Sequence, residues 1–449
     1  MLGLTILGGG PAGLAVAYYA HRAGLPFVLF EAADEPGGMC RTLAYGEHLY
    51  DLGAHRFHDR DAEITRDVVD LMGAELLRVD APSAIWDRGR FIDFPPTPLN
   101  AMFAYGPKDA ARIGLDLLRS GARRRRPASS FEDFAVRRFG KTLARRILLD
   151  YSAKLWGVPT GELSPDVATR RLQGMTLRSL LYELLFPGGK TTHIDGKFLY
   201  PRRGYGQIVE TLVRTLPADS LRTGHRVERL ECIGGALARI RFADGSSRAV
   251  EGRVINTLPL SRLVTMLGDV VDESAHAAAS RLRFRHVRLL FLRLARPRLS
   301  DKASIYIPDP AFCVSRISEP KNRSAAMAPK GETAVVVEAP FFAGDAVEGL
   351  SAAEFADRVV RELSALHLVD PREVIESREH LLFNAYPVYT SGYGRDVATV
   401  LESLGRIQNL ETLGRAGRFV YSHLHDQMRF GRDYVRAFLT SSAAGSASA

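Results

Sequence analysis

Several features that mark other classes of protein are scarce in this chain. Its three cysteines (Cys40, Cys232 and Cys313) lie far apart without C-x-x-C spacing, which argues against a disulfide framework and a cysteine-rich zinc site. None of the 12 histidines forms an H-E-x-x-H pair, so we predict no metal. Apart from the glycine-broken N-terminus, no apolar run approaches membrane-spanning length, and no transmembrane segment is expected.

The first 20 residues lack charge, a property they share with the apolar part of secretory signals. No basic region precedes them, however, and three adjacent glycines at positions 8–10 would break an apolar helix. We therefore expect a cytoplasmic protein.

The length and the net charge of the chain limit its domain organisation and its possible partners. A chain of 449 residues is too long for one compact core, so two or more domains are expected. The net charge of +9 suits an anionic ligand or substrate, and also a loose peripheral contact with an acidic membrane surface. The basic run Arg123–Arg126 is interpreted as a solvated loop. It has no interleaved aromatics and belongs to no known module, so no nucleic acid is expected.

The first 41 residues contain a dinucleotide-binding pattern. The glycines have separate tasks: Gly8 makes the tight turn, Gly10 lets the backbone approach a pyrophosphate, and Gly13 lets the helix pack on the strand. The helix N-terminus then presents free N–H groups to the phosphates. The full pattern is strand-like Leu4–Leu7, Gly8, Gly10, Gly13, a helical stretch, strand-like Phe27–Phe30 and Glu31, whose carboxylate can bind the adenosine ribose.

Paired glycines follow this unit and point to one dinucleotide. Gly37, Gly38 and Arg41 come shortly after Glu31. The arrangement resembles the extended motif of FAD proteins of the amine oxidase and glutathione reductase type. In those proteins the added glycines bring backbone close to the cofactor and a nearby basic residue often faces its phosphates. The resemblance implies FAD; spacing alone does not separate FAD from NAD.

The rest of the chain alternates between helical and strand-like stretches, which predicts an α/β fold. Helices are predicted at Asp61–Met72 and Ala352–Leu366, and strand-like Ser83–Pro98 is predicted to end in a proline-rich turn. We expect a Rossmann-type FAD-binding domain, glutathione reductase-like, interleaved with a helical insertion and an antiparallel-sheet substrate domain. The expected segments are FAD-binding 1–99, helical 100–194, FAD-binding 195–281, β-rich 282–384, FAD-binding 385–439 and a disordered tail 440–449.

Six further segments resemble, in the same order, segments of the UDP-galactopyranose mutases. GAHRFHD is similar to the flavin-adjacent GxHxFHT of that family. The chain thus resembles a UDP-galactopyranose mutase-like flavoprotein within the wider amine oxidase and protoporphyrinogen oxidase-like FAD superfamily. The segments are GAHRFHD (Gly53–Asp59), YSAKLWGVPTGELSPDVATR (Tyr151–Arg170), DGKFLYPRRGYGQIVETL (Asp195–Leu212), SRISE (Ser315–Glu319), AYPVY (Ala385–Tyr389) and GRAGRFVYSHLHDQ (Gly414–Gln427).

The resemblance implies roles for individual residues. Guanidinium groups and phenol hydroxyls can grip the two phosphates of a nucleotide sugar through charge-assisted hydrogen bonds. The substrate phosphates are assigned to Arg170, Arg316, Tyr386 and Tyr421, with Trp156 beside the substrate. The catalytic set is His55, near the flavin ring, with Arg170 and Arg316, FAD itself being the reactive group. The cofactor set beyond the opening unit is Gly53, Val227, Gly414, Arg415, Asp426 and Gln427.

Each role has a simpler alternative: Arg170 could end a solvated helix, Arg316 could form a surface ion pair, and Trp156 could belong to the core. The chain also departs from the mutases. The segment RLQGMTLRS after Arg170 lacks their proline-valine-arginine pattern, and His423 and His425 replace their acidic-and-methionine run.

Two reactions are compatible with these residues. In a mutase, reduced flavin attacks the anomeric carbon of a nucleotide sugar and expels the nucleotide diphosphate. The sugar ring then opens and recloses in the other size, and the diphosphate returns to the anomeric carbon and releases the flavin. That enzyme needs an electron donor to reduce its flavin. In an oxidoreductase, a C–H or C–N bond of the substrate is oxidised: oxidised FAD takes hydride from a C–H bond and passes the electrons to oxygen or another acceptor. The mutase-like reaction is favoured because the Arg and Tyr set has a direct use on a small anionic substrate.

Overall fold

The protein is represented by a computed structural model, which describes residues 3–87, 89–94, 108–109, 111–116, 127–171 and 197–447. Three sequence predictions fall outside these residues. They concern the basic loop Arg123–Arg126, the proline-rich turn expected after Phe94, and the segment 172–196 that follows the Tyr151–Arg170 motif.

Strands and helices alternate along the described chain. Its strands are β1 (Leu4–Leu7), β2 (Phe27–Phe30), β3 (Thr42–Tyr45), β4 (His48–Asp51), β5 (Leu76–Asp80), β6 (Ser83–Asp87), β7 (Arg90–Phe94), β8 (Lys197–Pro201), β9 (Leu221–Arg222), β10 (Val227–Ile233), β11 (Ala236–Phe242), β12 (Ser247–Ala249), β13 (Arg253–Asn256), β14 (Phe284–Leu294), β15 (Ser304–Tyr306), β16 (Arg316–Ser318), β17 (Thr333–Phe341), β18 (Val374–Pro387) and β19 (Leu410–Thr412). Its helices include Pro11–Arg22, Ala62–Met72, Phe131–Phe139, Lys141–Ala144, Asp150–Trp156, Asp166–Arg171, Gly206–Thr215, Leu260–Leu267, Glu273–Arg281, Ala352–Ala365, Tyr393–Leu404, Gly414–Gly417 and Leu424–Ala447.

A parallel sheet of order β19-β13-β1-β2-β9 forms the dinucleotide-binding domain. Both strands predicted in the opening unit have the predicted bounds, and the helix Pro11–Arg22 connects them. A Cβ added at Gly13 would lie 1.9 Å from the carbonyl oxygen of Gly8, so only glycine permits this approach of helix and turn. The α/β fold with a Rossmann-type unit is confirmed.

A second sheet, of order β18-β14-β17-β16-β15-β6-β7, forms the substrate domain. It is antiparallel except where β15 pairs with β6 in parallel. The hairpin of β6 and β7 comes from residues 83–94, which the sequence boundaries placed in the FAD-binding segment 1–99. The structure places the hairpin in the substrate sheet, because β6 pairs with a strand more than two hundred residues away that local patterns do not identify.

The long C-terminal helix Leu424–Ala447 packs against Pro11–Arg22. A Cβ at Gly431 would lie 2.8 Å from the backbone of Ala15 and Val16, so this glycine lets the two helices come close. The helix continues to Ala447, whereas the sequence suggested a disordered tail from residue 440. Alanine, abundant in that stretch, favours helix and allows the continuation.

Candidate functional site

A cavity of about 650 Å³ runs between the two sheets. One end is formed by the glycine turn after β1, and the other by side chains of the substrate sheet and of the helical segment near residue 150. Of the predicted residues, those lining the cavity are Gly8, Gly10, Glu31, Gly38, Gly53, His55, Arg316, Tyr386, Arg415, Tyr421 and Gln427. The fold thus brings distant parts of the sequence to one site.

The end at the glycine turn has the shape that an ADP group requires. Gly10 caps the helix Pro11–Arg22 without a side-chain hydrogen bond, so its first N–H groups face the cavity uncapped. A Cβ at Gly10 would meet nothing within 4 Å, which leaves room for a phosphate. The Glu31 carboxylate accepts the backbone N–H groups of Gly9 at 2.7 Å and Ala33 at 2.8 Å, which orient it at the end of β2. These residues fit FAD.

Other predicted cofactor residues do not line the cavity. Gly37 adopts a left-handed conformation beside Arg41, and the Arg41 guanidinium pairs with Glu35 rather than facing the cavity. Val227 is buried at the start of β10, within the hydrophobic core. Gly414 packs against the opening helix, where a Cβ would lie 2.6 Å from that of Ala12. Gly13, described above, also supports the site from behind.

His55 and Gly53 lie in the middle of the cavity. The His55 ring stacks on Tyr205 with centroids 4.9 Å apart, and its Nε2 is 3.1 Å from the carbonyl oxygen of Leu52. Burial, partly opposed by the Asp51 carboxylate, lowers the pKa of His55, so the ring is neutral at physiological pH. A neutral imidazole in this place can hydrogen-bond a flavin or a substrate without adding charge.

The segment before the C-terminal helix supplies Arg415, Tyr421 and Gln427. The Arg415 guanidinium lies over the rings of Tyr386 at 5.0 Å and Tyr421 at 4.7 Å, and donates to the carbonyl oxygen of Ala385. The Gln427 side chain accepts the backbone N–H of Arg415 at 3.2 Å. These contacts hold the cationic group against two phenol rings at the cavity wall.

Asp426 has a different position from its neighbour Gln427. Its carboxylate accepts the backbone N–H of His423 at 3.0 Å and lines a second, smaller pocket of about 360 Å³ with Arg429. Asp426 is not among the described residues that line the main cavity.

The Arg316 side chain is 15% exposed, and its charge is already matched. Its Nε lies 2.9 Å from Oε1 of Glu338 and its Nη2 2.7 Å from Oε2, a two-point ion pair between adjacent strands β16 and β17. Glu338 is only 2% exposed. Burial acts to lower the pKa of Arg316, but the Glu338 carboxylate raises it well above its usual value. Tyr386 accepts a longer contact from Arg316 at 3.4 Å.

Trp156 stands behind the cavity rather than in it. Its ring is 1% exposed and packs near Tyr386, Tyr389 and Tyr421, with centroids 5.9, 6.2 and 6.5 Å away. It therefore supports from behind the part of the cavity wall that Tyr386 and Tyr421 form, called here the phenol wall. Trp156 was expected to contact the substrate directly, but it is not among the described residues that line the cavity. Arg170 lies on the helix Asp166–Arg171, and its side chain is outside the described part of the chain.

Glu338 and Arg56 are two of the cavity residues that the sequence reasoning missed. Glu338 occurs in an apolar strand sequence, TAVVVEAPF, where one acid among buried residues was the available signal. Arg56 occupies the variable position of the GxHxFHT-like segment, where a charge among glycine, histidine and phenylalanine was the signal.

The lateral wall of the cavity is apolar. Side chains from the β6–β7 hairpin and from the helical segment 131–167 form it, so one side of the cavity can hold a ring or a hydrocarbon group while the other holds charge. These side chains are Ile85, Phe94, Phe131, Ile147, Leu148 and Val167.

Neither a metal-ligand cluster nor a membrane-spanning helix occurs within the described residues. There, no group of three or more His, Cys, Asp or Glu side chains could hold a metal ion. No described helix is both long enough and apolar enough to cross a membrane.

The chain is similar to curated relatives at low sequence identity. The chain is 27% identical over 299 residues to the coproporphyrinogen III oxidase of Mycobacterium leprae, covering 62% of this chain and 64% of the relative. It is 25% identical over 297 residues to the hydroxyneurosporene desaturase of Cereibacter sphaeroides, covering 59% and 58%. The alignments thus span about three fifths of each relative's length.

Solved structures share the fold over nearly the whole chain. Reduced UDP-galactopyranose mutase has a TM-score of 0.85 at 20% identity, covering 98% of this chain and 94% of the other. Wild-type putrescine oxidase bound to putrescine has a TM-score of 0.70 at 16% identity, covering 98% and 99%.

A family model, flavin containing amine oxidoreductase, matches residues 11–406 of the chain. The match includes the helix Pro11–Arg22, all seven strands of the substrate sheet, three of the five strands of the parallel sheet and most of the cavity wall. The chain therefore belongs to the family of flavin containing amine oxidoreductases, and FAD is its cofactor.

Proposed function

We propose that this flavoenzyme is a nucleotide-sugar mutase, which converts the sugar between its six-membered and five-membered ring forms. The observation that carries the proposal is the composition of the cavity: five arginines and two glutamates line it, and within the described lining there is neither lysine nor aspartate. One of those glutamates orients the glycine turn, and the other neutralises Arg316. The substrate end therefore favours an anion and offers no free carboxylate as a base.

The protein's own groups have definite tasks in such a reaction. When bound and reduced, FAD supplies a nucleophilic nitrogen for the anomeric carbon. The arginines hold the diphosphate as it leaves and keep it close for its return. Tyr386, partly buried beside Arg316 and Arg415, can donate its hydroxyl hydrogen to a phosphate or sugar oxygen, since desolvation raises the pKa of its phenol. The apolar wall can hold the nucleoside.

The experiment is direct. Purified holoenzyme reduced with dithionite is incubated with UDP-galactopyranose and with a panel of UDP-, GDP- and dTDP-linked hexoses, and the products are separated by chromatography. We expect a furanose product from at least one sugar with reduced enzyme and none with oxidised enzyme. If every sugar is recovered unchanged, the proposal is wrong.

A second candidate is a hydride-transfer oxidoreductase. It is favoured by the curated relatives, which are an oxidase and a desaturase, and by the apolar lateral wall. The two reactions differ in what happens to oxidised flavin. Anaerobic mixing with substrate bleaches the flavin absorbance near 450 nm in an oxidoreductase and leaves it in a mutase.

A further inference from the structure

Arg56 lines the same cavity as Arg316, but its surroundings are different. It follows His55 in the loop after β4, and its backbone carbonyl oxygen accepts the Tyr205 hydroxyl at 3.3 Å, which fixes the loop. Its guanidinium donates to the hydroxyl of Ser83 and lies 4.8 Å from the ring centroid of Phe198. The side chain lines the cavity and is held in place from two sides.

The charge of Arg56 is not matched by an acid. Arg316 is paired with Glu338, and Arg146, another arginine of the cavity, is paired with Asp87 and Asp109. Arg56, by contrast, forms no salt bridge with any carboxylate in the part of the chain that the structure describes.

Other cations lie close to Arg56. Burial, and then the nearby guanidinium groups of Arg323 and Arg316, lower its pKa to about 10, with Tyr306 opposing. Arg56 thus stays charged at neutral pH. Arg323 is 3% exposed, and its Nε and Nη1 atoms have no hydrogen-bond partner among the described groups. Burying cations without counter-charge is costly, and a bound anion removes that cost.

We propose that Arg56, with the Tyr306 hydroxyl beside it, forms the subsite that binds the anionic oxygens of the substrate. In this assignment Arg316, whose charge Glu338 neutralises, lines the site but is not its main anion contact. The planar guanidinium of Arg56 can offer two parallel N–H groups to one phosphate. That the anion is a diphosphate rests on the proposed function; that Arg56 binds it rests on the charge distribution.

The test uses purified holoenzyme and inorganic pyrophosphate, with binding measured by isothermal titration calorimetry. Succinate is titrated in parallel to separate a phosphate site from a carboxylate site. Arg56→Gln removes the charge, and Arg56→Lys keeps it without the planar fork. Arg361→Gln, at an exposed position of the helix Ala352–Ala365, changes the net charge equally and serves as the matched control.

We expect Arg56→Gln to weaken pyrophosphate binding at least tenfold, Arg56→Lys to weaken it less, and Arg361→Gln to leave it within twofold. FAD content, read from the flavin absorbance, should stay equal in all four proteins. Pyrophosphate affinity within twofold of the parent in Arg56→Gln overturns the assignment. So does failure of the parent to bind pyrophosphate, or loss of FAD in both Arg56 variants, which would give Arg56 a structural role.

The two proposals fail separately. If pyrophosphate binding depends on Arg56 while no nucleotide sugar is converted, the anion subsite stands and the mutase reaction falls. If succinate binds as tightly as pyrophosphate, the site is not selective for diphosphate, and that part of the inference is wrong.

Discussion

The two ends of the cavity are built differently. The ADP end consists of backbone, glycines and one acid from a single continuous stretch, residues 4–38. The substrate end consists of side chains from separate strands and loops; the backbone N–H of Ala54, for example, donates to Glu338, 284 positions away, at 3.3 Å. A site made of local backbone geometry leaves a motif in the sequence. A site made of side-chain charge balance depends on which segments meet.

The two ends differ most in how their charged side chains are compensated. At the ADP end, the one carboxylate is held by two backbone N–H groups and its role follows from its place at the end of β2. At the substrate end, two arginines that look alike in the sequence have different surroundings, because Glu338 pairs with Arg316 and not with Arg56. The two arginines carry the same charge, and they differ because the strand beside Arg316 supplies a carboxylate.

The largest effect is expected at the ADP end. Gly13→Val places side-chain atoms where even a Cβ lies 1.9 Å from the Gly8 carbonyl oxygen, so the turn cannot form and the purified protein should contain no FAD. Gly10→Ala meets no protein atom within 4 Å, so the chain should fold but bind FAD at least tenfold more weakly. Flavin absorbance and circular dichroism measure the two effects. Gly349→Ala, at an exposed open position, is the control, and full flavin content in Gly13→Val would contradict the assignment of this end.

At the substrate end, Arg316→Ala should destabilise the fold, because it leaves the Glu338 carboxylate buried and unpaired. The expected loss is about 3–5 kcal/mol in the free energy of unfolding. The double substitution Arg316→Met with Glu338→Met removes both charges and should recover most of that loss. Urea unfolding of the holoenzyme measures both. A double variant no more stable than Arg316→Ala would mean that the ion pair does not determine stability here.

Acid sensitivity should arise from the histidines beside the cavity. Burial, with neighbouring histidines and arginines, lowers the pKa of His58 to about 2 and that of His423 to about 3, whereas both titrate near 6.5 when unfolded. As the pH falls below about 6.5, the unfolded chain binds protons that the folded protein does not. The free energy of unfolding therefore decreases, by at most about 1.4 kcal/mol per pH unit for each histidine.

Measuring the free energy of unfolding between pH 7.5 and 5 tests whether His58 and His423 cause the acid sensitivity. Replacing both histidines by glutamine should flatten the acid slope, while the same change at exposed His21 should not alter it. An unchanged slope in the double variant would assign the acid sensitivity to other groups.

The smallest effect is expected for Tyr386→Phe, which removes one hydroxyl and keeps the aromatic wall with Trp156 and Tyr421. Loss of one hydrogen bond to a bound anion should cost about 0.5–1.5 kcal/mol, or roughly two- to tenfold in pyrophosphate affinity. Calorimetry as described for Arg56 measures it. An effect larger than that of Arg56→Gln would make Tyr386, and not Arg56, the principal anion contact.

Much of the fold followed from local patterns. Both strands of the opening unit have the predicted bounds, the helix expected at Asp61–Met72 begins one residue later because Asp61 is its N-cap, and the helix expected at Ala352–Leu366 ends at Ala365. Hydrophobic periodicity and capping chemistry act within a few residues, which is why they can be seen in the sequence. The parallel pairing of β6 with β15 was not predicted, because strand pairing over that distance leaves no local pattern.

The sequence by itself determined the cofactor unit: its glycines, strand ends and terminal acid are required by backbone geometry within one stretch of about forty residues. Only the tertiary structure decided that Glu338 pairs with Arg316 and not with Arg56, that Trp156 lies behind the phenol wall, and that Arg41 pairs with Glu35. The physical reason is that charge compensation and burial are properties of what lies next to a side chain in space, and its neighbours along the chain do not specify them.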